Sequence, residues 1–205
     1  MKAIVYSNYG SPDVLKCEEI EKSTAGDNEV LIKVRAASVN PLDWFFMTGP
    51  PIVRILPGLR KPKVTRLGVD VAGQVEAVGR NVTQFKPGDE VFGACRGAFA
   101  EYVCAVEDKL ALKPANISFE DAAAVPVAAI TALQGLRDKG RIQPRHKVLV
   151  DGASGGVGTF AVQIAKSFAA EVTAVYSTRN MERVRSIKIF LKPEKSSPSS
   201  IDVIH

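Results

Sequence analysis

The sequence has no long apolar run and no dense basic cluster. None of its apolar stretches is long enough to cross a membrane, and Met1–Tyr6 predicts a β-strand rather than a signal peptide. Basic residues do not alternate with aromatic ones, which argues against a nucleic-acid-binding protein. We therefore predict a cytoplasmic protein with no membrane span and no nucleic-acid partner.

Cysteine and histidine are also scarce. The three cysteines, Cys17, Cys95 and Cys104, form no CxxC pair, which favours free thiols in a reducing compartment over a disulfide framework. The two histidines are His146 and His205. Catalytic zinc needs a converging set of nitrogen, sulfur or carboxylate ligands, so the sequence predicts no metal site, with His146 at the surface.

The first part of the chain contains many short strands between glycine and proline turns, which indicates a barrel-like all-β domain over residues 1–125. The strands are predicted at Lys2–Tyr6, Val14–Ile20, Glu29–Ala37, Leu67–Gly79, Phe99–Val106 and Lys109–Leu112, with another strand after the turn at Lys86–Asp89. The strand Leu67–Gly79 is expected to bend or bulge near Gly73. Ser118 is a predicted helix N-cap with Asp121 at the third helical position, and Pro126 should interrupt the helix that follows.

A glycine-rich turn, Gly152–Gly158, follows the predicted buried strand Lys147–Asp151 and precedes a helix and a second strand, Val172–Tyr176. Glycines let the backbone turn tightly and let a phosphate approach the amides at the helix N-terminus. The strict dinucleotide fingerprint has glycine where Ala153 stands. The pattern favours nucleotide binding, and the alternative is an ordinary tight turn between strand and helix.

The residues predicted to contact the cofactor pyrophosphate are Ser154, Gly155, Gly156, Val157 and Gly158. Helical spacing predicts one apolar helix face, formed by Val157, Ala161, Ile164, Ala165 and Phe168.

The end of the second strand carries no acidic residue. An NAD enzyme places a carboxylate about 20 residues beyond the glycines to bind the ribose 2′-hydroxyl. The corresponding segment here contains Ser177 and Arg179 instead, and these side chains suit a 2′-phosphate. The sequence therefore favours NADPH over NADH, the alternative being an exposed turn with an unrelated arginine.

Several motifs occur together in an order that resembles the medium-chain dehydrogenase/reductase superfamily, and more narrowly its zinc-free quinone oxidoreductase branch. They are Asn40-Pro41-Leu42-Asp43, Gly68–Gly73, Lys86–Val91 and Gly152–Gly158. The resemblance extends to about Ile187. It implies an α/β plus all-β architecture: a GroES-like β-barrel domain over residues 1–125, then a partial Rossmann domain, part of a doubly wound parallel sheet, over residues 126–187.

The resemblance also implies a function, namely zinc-independent, NADPH-dependent hydride transfer to a quinone or an α,β-unsaturated carbonyl. It places Asn40 in the cleft loop and Thr131 near the nicotinamide, where each side chain can hydrogen-bond a carbonyl or an amide. Trp44, Phe45 and Phe46 would form either an apolar wall for a flat substrate or part of the core. A small-molecule substrate is the expected partner, and a homo-oligomer is possible.

The sequence departs from the family after Ile187. Where the family continues with Gly-Ala-Asp and a third strand, residues 188–205 are rich in lysine, proline and serine, which predicts a disordered tail. A complete Rossmann domain has about six strands, and two are evident here. A second hypothesis is therefore a truncated, catalytically impaired member that acts at most as a nucleotide-binding or interaction protein.

Overall fold

The computed structural model describes residues 1–49, 61–63 and 65–180. The chain divides into two compact units, Met1–Val127 and Ala128–His205. The predicted disordered tail, 188–205, lies outside the described residues, as does the end of the predicted Rossmann segment beyond Asn180.

The first unit is built from antiparallel strands. A two-stranded sheet pairs β1 (Lys2–Val5) with β2 (Lys16–Glu19), and a five-stranded sheet has the order β6-β3-β4-β5-β7. The strands of the larger sheet are β3 (Glu29–Ser38), β4 (Asp70–Val78), β5 (Glu90–Ala94), β6 (Tyr102–Val106) and β7 (Leu110–Leu112). Isolated bridges join Ala3 to Ala100 and Val5 to Arg66. The described strands therefore form two separate antiparallel sheets rather than the predicted closed barrel, and β1 bridges to residues outside the strands of the larger sheet.

The sequence predicted a bend or bulge near Gly73 in the strand Leu67–Gly79, and the structure places the bulge opposite Gly73, on the partner strand β3. The β3–β4 register shifts between Val34, opposite Gly73, and Ala36, opposite Ala72, so the extra residue, Arg35, lies on β3. A side chain at Gly73 would collide with the carbonyl oxygen of Lys33. Glycine is needed at this position because the two backbones approach too closely for a Cβ.

Three short helices lie between β3 and the strands of the second unit. The first, α1 (Pro41–Thr48), follows β3, and α2 (Phe119–Ala123) begins after Ser118, whose Oγ accepts a hydrogen bond from the Asp121 N–H at 3.0 Å as predicted. The helix then breaks, and α3 (Pro126–Leu133) starts at the predicted proline and continues as a π-helix over Gln134–Lys139. Within the described residues, no helix is both long enough and apolar enough to cross a bilayer.

The described part of the second unit contains the predicted strand–turn–helix–strand motif. The strands β8 (Lys147–Asp151) and β9 (Glu171–Val175) pair in parallel, and α4 (Gly156–Ser167) connects them. Buried residues from α4 and both strands form one core, which includes Val150, Ala161, Ile164, Ala165, Val172 and Ala174. The prediction that Val157 belongs to the apolar helix face is wrong, because this residue lies in the first turn and is 42% exposed.

Candidate functional site

The Asn40 loop connects β3 to α1 and is held by a buried carboxylate. Asn40 is the N-cap of α1, and its backbone N–H donates to Asp43 Oδ2 at 2.8 Å. The other oxygen of Asp43 accepts the backbone N–H of Gly68 at 2.8 Å. Asp43 therefore braces the loop against the segment that precedes β4.

A second buried carboxylate, Asp70 at the start of β4, contacts the Asn40 side chain directly. Asp70 Oδ2 accepts hydrogen bonds from Ser38 Oγ at 2.9 Å and from Asn40 Nδ2 at 3.1 Å. Its Oδ1 accepts the backbone N–H of Val127 at 3.1 Å. Burial raises the pKa of Asp70, although these hydrogen bonds favour the ionised form and oppose the shift.

This arrangement defines the orientation of Asn40. Its Nδ2 also lies 3.0 Å from Ser38 Oγ, so the amide nitrogen is used within the network. Sequence reasoning missed both Ser38 and Asp70 as neighbours of Asn40. Their only signal was their position at the end of one predicted strand and within the next.

Four exposed apolar residues lie near Asn40 in the chain and are called the apolar patch below: Val39, Leu42, Trp44 and Phe45. The side chains of Trp44 and Phe45 are 53% and 49% exposed, so these two aromatics are not core residues. Phe46 differs from them, because it packs against the buried cluster of Tyr6, Met47 and Leu67. Phe46 thus packs with the core, whereas a role of Trp44 and Phe45 as an apolar wall for a substrate stays a prediction.

Thr131, the other predicted substrate-side residue, lies on α3 at an exposed position. It belongs to the second unit, whereas Asn40 belongs to the first. A common site for Asn40 and Thr131 stays a prediction.

The glycine-rich turn of the second unit has the close backbone packing expected of a phosphate-binding turn. Gly152 has a φ of +70°, in the left-handed region, and its carbonyl accepts the Gly155 N–H at 2.9 Å. Ala153 is fully buried, and its N–H donates to the carbonyl of Val175 on β9 at 3.0 Å. A Cβ at Gly158 would collide with the Gly152 carbonyl oxygen, whereas a Cβ at Gly156 would enter open space.

The start of α4 presents backbone donors without a competing negative charge. Gly155 is the N-cap, and the first helical bond runs from the Thr159 N–H to the Gly155 carbonyl at 2.9 Å. The earlier N–H groups of a helix have no acceptor within the helix. The first turn of α4 contains no acidic residue, so both the amides and the helix dipole favour an anion here.

Asn180 connects the two predicted cofactor-binding segments, and sequence reasoning missed it. Its Nδ2 donates to Ser154 Oγ in the glycine-rich turn and to Ser177 Oγ after β9, each at 3.1 Å. Arg179 is exposed beside this link, and none of the ion pairs within the described residues involves it. Ser154 and Ser177 therefore accept hydrogen bonds from the same donor, the side-chain amide of Asn180.

The described residues contain no cluster of three or more histidine, cysteine or acidic side chains that could hold a metal ion. His146 is exposed, and its Nδ1 accepts the Gln143 N–H at 3.3 Å. Burial, together with the negative charges of Asp70 and Asp43, raises the pKa of the Cys95 thiol to about 12. Cys95 therefore stays protonated at neutral pH, and a protonated thiol is a poor metal ligand.

The fold is that of proteins in which a GroES-like β domain precedes a Rossmann-type unit. Residues 26–115 match the family model of the alcohol dehydrogenase GroES-like domain. The chain is therefore placed, by similarity, beside the quinone oxidoreductases of the medium-chain dehydrogenase/reductase superfamily.

Named relatives support this placement. The chain is 39% identical over 197 residues to a chloroplastic quinone-oxidoreductase homolog of Spinacia oleracea, covering 91% of this chain and 59% of the relative. It is 40% identical over 200 residues to a chloroplastic NADPH-dependent alkenal/one oxidoreductase of Arabidopsis thaliana, covering 91% of this chain and 50% of the relative.

The crystal structure of Escherichia coli quinone oxidoreductase in complex with NADPH superposes with a TM-score of 0.78 at 31% identity, covering 91% of this chain and 56% of that one. The chain thus spans between 50% and 59% of the length of these proteins.

Proposed function

We propose that the protein is a zinc-independent, NADPH-dependent oxidoreductase that transfers hydride to a quinone or an α,β-unsaturated carbonyl. The observation that carries this proposal is the turn at the start of α4, where Asn180 joins Ser154 to Ser177. The proposal is further supported by relatives that are named as quinone and alkenal/one oxidoreductases.

The residues of the turn fit a dinucleotide. The open space at Gly156 leaves room for a phosphate against the backbone, while the close packing of Gly158 keeps the turn compact. Donors for the pyrophosphate would come from the amides of Gly156, Val157 and Gly158 and from the Ser154 hydroxyl, whereas the Gly155 N–H already donates to the Gly152 carbonyl. When bound, the cofactor supplies the hydride, and the protein supplies orientation and electrostatics.

The preference for NADPH is inferred from the segment after β9. Ser177 and Arg179 are both exposed, and the described part of the segment contains no carboxylate to pair with a ribose hydroxyl. An arginine guanidinium makes charge-assisted hydrogen bonds to a phosphate. These two side chains would therefore bind the 2′-phosphate that distinguishes NADPH from NADH.

On the substrate side, Asn40 would contribute a fixed polar group and the patch beside it a flat apolar surface. Because Asn40 Nδ2 donates to Asp70 and lies beside Ser38, we propose that Oδ1 is the atom through which Asn40 meets a ligand donor. The exposed rings of Trp44 and Phe45 suit a planar acceptor. Thr131 is proposed as a second polar contact near the nicotinamide.

Zinc independence is inferred from the residues at the corresponding positions. The zinc enzymes of the superfamily have a cysteine near Asn40 and a His-Glu pair where Val69 and Asp70 stand here. Val69 offers no ligand atom, and Asp70 already accepts three hydrogen bonds. Dialysis against a chelator should leave the melting temperature and the NADPH affinity unchanged, and a stoichiometric metal lost together with either property would contradict this part of the proposal.

A second candidate is a nucleotide-binding or interaction protein with little turnover. The observation that favours it is Leu149 on β8, whose side chain is 67% exposed among the described residues. Parallel sheets are normally covered on both faces, so an open face leaves the β8–β9 pair incompletely packed. Loose packing around the cofactor would reduce the positioning on which hydride transfer depends.

The two candidates are separated by measuring nucleotide binding and turnover on the same preparation. NADPH binding is followed by fluorescence, and turnover by NADPH oxidation with phenanthrenequinone in the parent and in Asn40→Ala. Turnover that scales with protein and falls in Asn40→Ala supports the oxidoreductase. NADPH binding without turnover favours the second candidate, and no binding of NADPH or NADH contradicts both. The cytoplasmic location, the homo-oligomeric state, the absence of a nucleic-acid partner and the predicted domain boundaries stay predictions.

A further inference from the structure

A pocket of about 390 Å³ lies within the first unit. Its described lining includes Asp43 and Gly68 but neither Asn40 nor Asp70, so the pocket adjoins the Asn40 loop through Asp43 without containing the Asn40 side chain. Its volume is in the range of pockets that hold small molecules, about 300–1,000 Å³.

Three residues of the pocket lining, Tyr6, Phe46 and Leu67, are aromatic or aliphatic, and they belong to the same packed cluster in which Tyr6 and Leu67 are buried. Burial raises the pKa of the Tyr6 phenol, whose hydroxyl donates to the Phe46 carbonyl at 3.5 Å. These residues, the aromatic wall of the pocket, suit the ring of an aromatic ligand.

The pocket lining also carries positive charge. Three of its residues, Lys63, Arg66 and Arg96, are cationic, and the only acid in the described lining is Asp43. Both oxygens of Asp43 already accept backbone N–H groups. The pocket therefore presents more positive charge than its own residues neutralise.

Arg66 is held in place, whereas the other two cations are exposed. The Arg66 guanidinium lies against Gly97, where a Cβ would come within 3.3 Å of Nε, and its Nη1 donates to Ser23 Oγ at 3.3 Å. Lys63 and Arg96 are exposed, and the ion pairs within the described residues include neither of them. A preorganised guanidinium flanked by two adaptable cations is a typical arrangement for binding an anion.

We propose that this pocket binds a small aromatic anion, a carboxylate or a sulfonate. Its ring lies against Tyr6 and Phe46, and its anionic group pairs with Arg66 and the flanking cations. A neutral quinone would use the aromatic wall but leave the three cations without a partner. The site does not require nucleotide binding, so it stands or falls independently of the proposed oxidoreductase activity.

The test compares 2-naphthoate with the neutral 2-naphthamide by isothermal calorimetry and by amide chemical shifts of the full chain. Naphthoate should bind more tightly than the amide and should shift the Gly68 and Gly97 signals. Arg96→Gln and Lys63→Gln should each weaken naphthoate binding by about threefold to tenfold, with little effect on naphthamide. The matched control is Arg80→Gln, which removes an exposed arginine outside the pocket, paired with Asp27 at 2.9 Å. Its affinity for naphthoate should match the parent.

Two further measurements complete the test. Phe46→Leu should weaken both ligands, because both use the aromatic wall, and Gly156→Ala, which alters the nucleotide turn, should leave naphthoate binding unchanged. The proposal would be overturned by equal affinities for naphthoate and naphthamide, or by an equal loss of naphthoate affinity in Arg80→Gln and Arg96→Gln. It would also be overturned if naphthoate left the amide signals of Gly68 and Gly97 unshifted, or if it did not bind at millimolar concentration.

Discussion

Asp70 Oδ2 accepts a hydrogen bond from Asn40 Nδ2 at 3.1 Å, although the two residues are separated by 30 positions in the sequence. The other oxygen of Asp70 accepts the Val127 N–H at 3.1 Å. One buried carboxylate thus fixes the side chain of a candidate site residue and the first turn of α3. Its ionisation state should therefore affect the stability of the first unit.

The first prediction concerns the pH dependence of that effect. Because burial raises the pKa of Asp70 in the folded state, the folded protein binds more protons than the unfolded chain between the ordinary and the raised pKa. The free energy of unfolding of the parent, relative to Asp70→Asn, should therefore increase as the pH falls from 7 through the raised pKa. Denaturant unfolding of both proteins across this range measures the difference.

The control for this experiment is Asp89→Asn. The hydrogen bond from the Lys86 backbone lowers the pKa of Asp89, so the stabilisation by Asp89 should be lost, not gained, as the pH falls through that lowered pKa. If the free energy of unfolding of the parent followed the same pH trend relative to Asp70→Asn as relative to Asp89→Asn, the direction assigned at Asp70 would be contradicted.

At pH 7, Asp70→Asn should lower the free energy of unfolding by about 1–3 kcal/mol, because an amide replaces a carboxylate that accepts from three donors.

The second prediction concerns the open position in the glycine-rich turn. Gly156→Ala places a methyl group in open space where the phosphate is proposed to approach, so NADPH affinity should fall by about tenfold or more without loss of stability. Fluorescence titration and thermal melting measure the two effects. Gly135→Ala is the matched control, because a Cβ there also meets nothing within 4 Å. Equal NADPH affinities in the two variants would show that the turn does not bind the phosphate.

The third prediction concerns Gly158, the position in the same turn that has no room for a side chain. Gly158→Ala forces a methyl group against the Gly152 carbonyl oxygen, so the backbone must move. Overpacking of this kind costs about 1–3 kcal/mol, and the melting temperature should fall. A melting temperature equal to that of Gly156→Ala would mean that the turn accommodates the side chain.

The fourth prediction concerns nucleotide preference. Arg179→Gln should reduce NADPH affinity by about tenfold and leave NADH affinity nearly unchanged, because only NADPH carries the 2′-phosphate. Arg137→Gln removes another exposed arginine, paired with Asp138, and controls for the general change in charge. The inference would fail if Arg179→Gln weakened both nucleotides equally.

The elements that the sequence predicted well depend on local signals. The strand Lys147–Asp151, the cap at Ser118 and the helix break at Pro126 follow from residues that are neighbours in the chain. Helical spacing failed at Val157, because a residue in the first turn of α4 can match the pattern and still lie beyond the core.

The sequence by itself determined the resemblance to the superfamily, the strand-rich first domain and the glycine-rich turn, because motif order, periodicity and glycine placement are written along the chain. Only the tertiary structure decided which polar groups meet. Asp70 reaches Ser38 and Asn40, and Asn180 reaches Ser154, across more than 25 positions of sequence. Such contacts depend on strand register and on the paths of the connecting loops, so spacing does not reveal them. The same holds for the division between the exposed Trp44 and Phe45 and the packed Phe46, because their packing depends on which side of α1 meets the Tyr6 cluster.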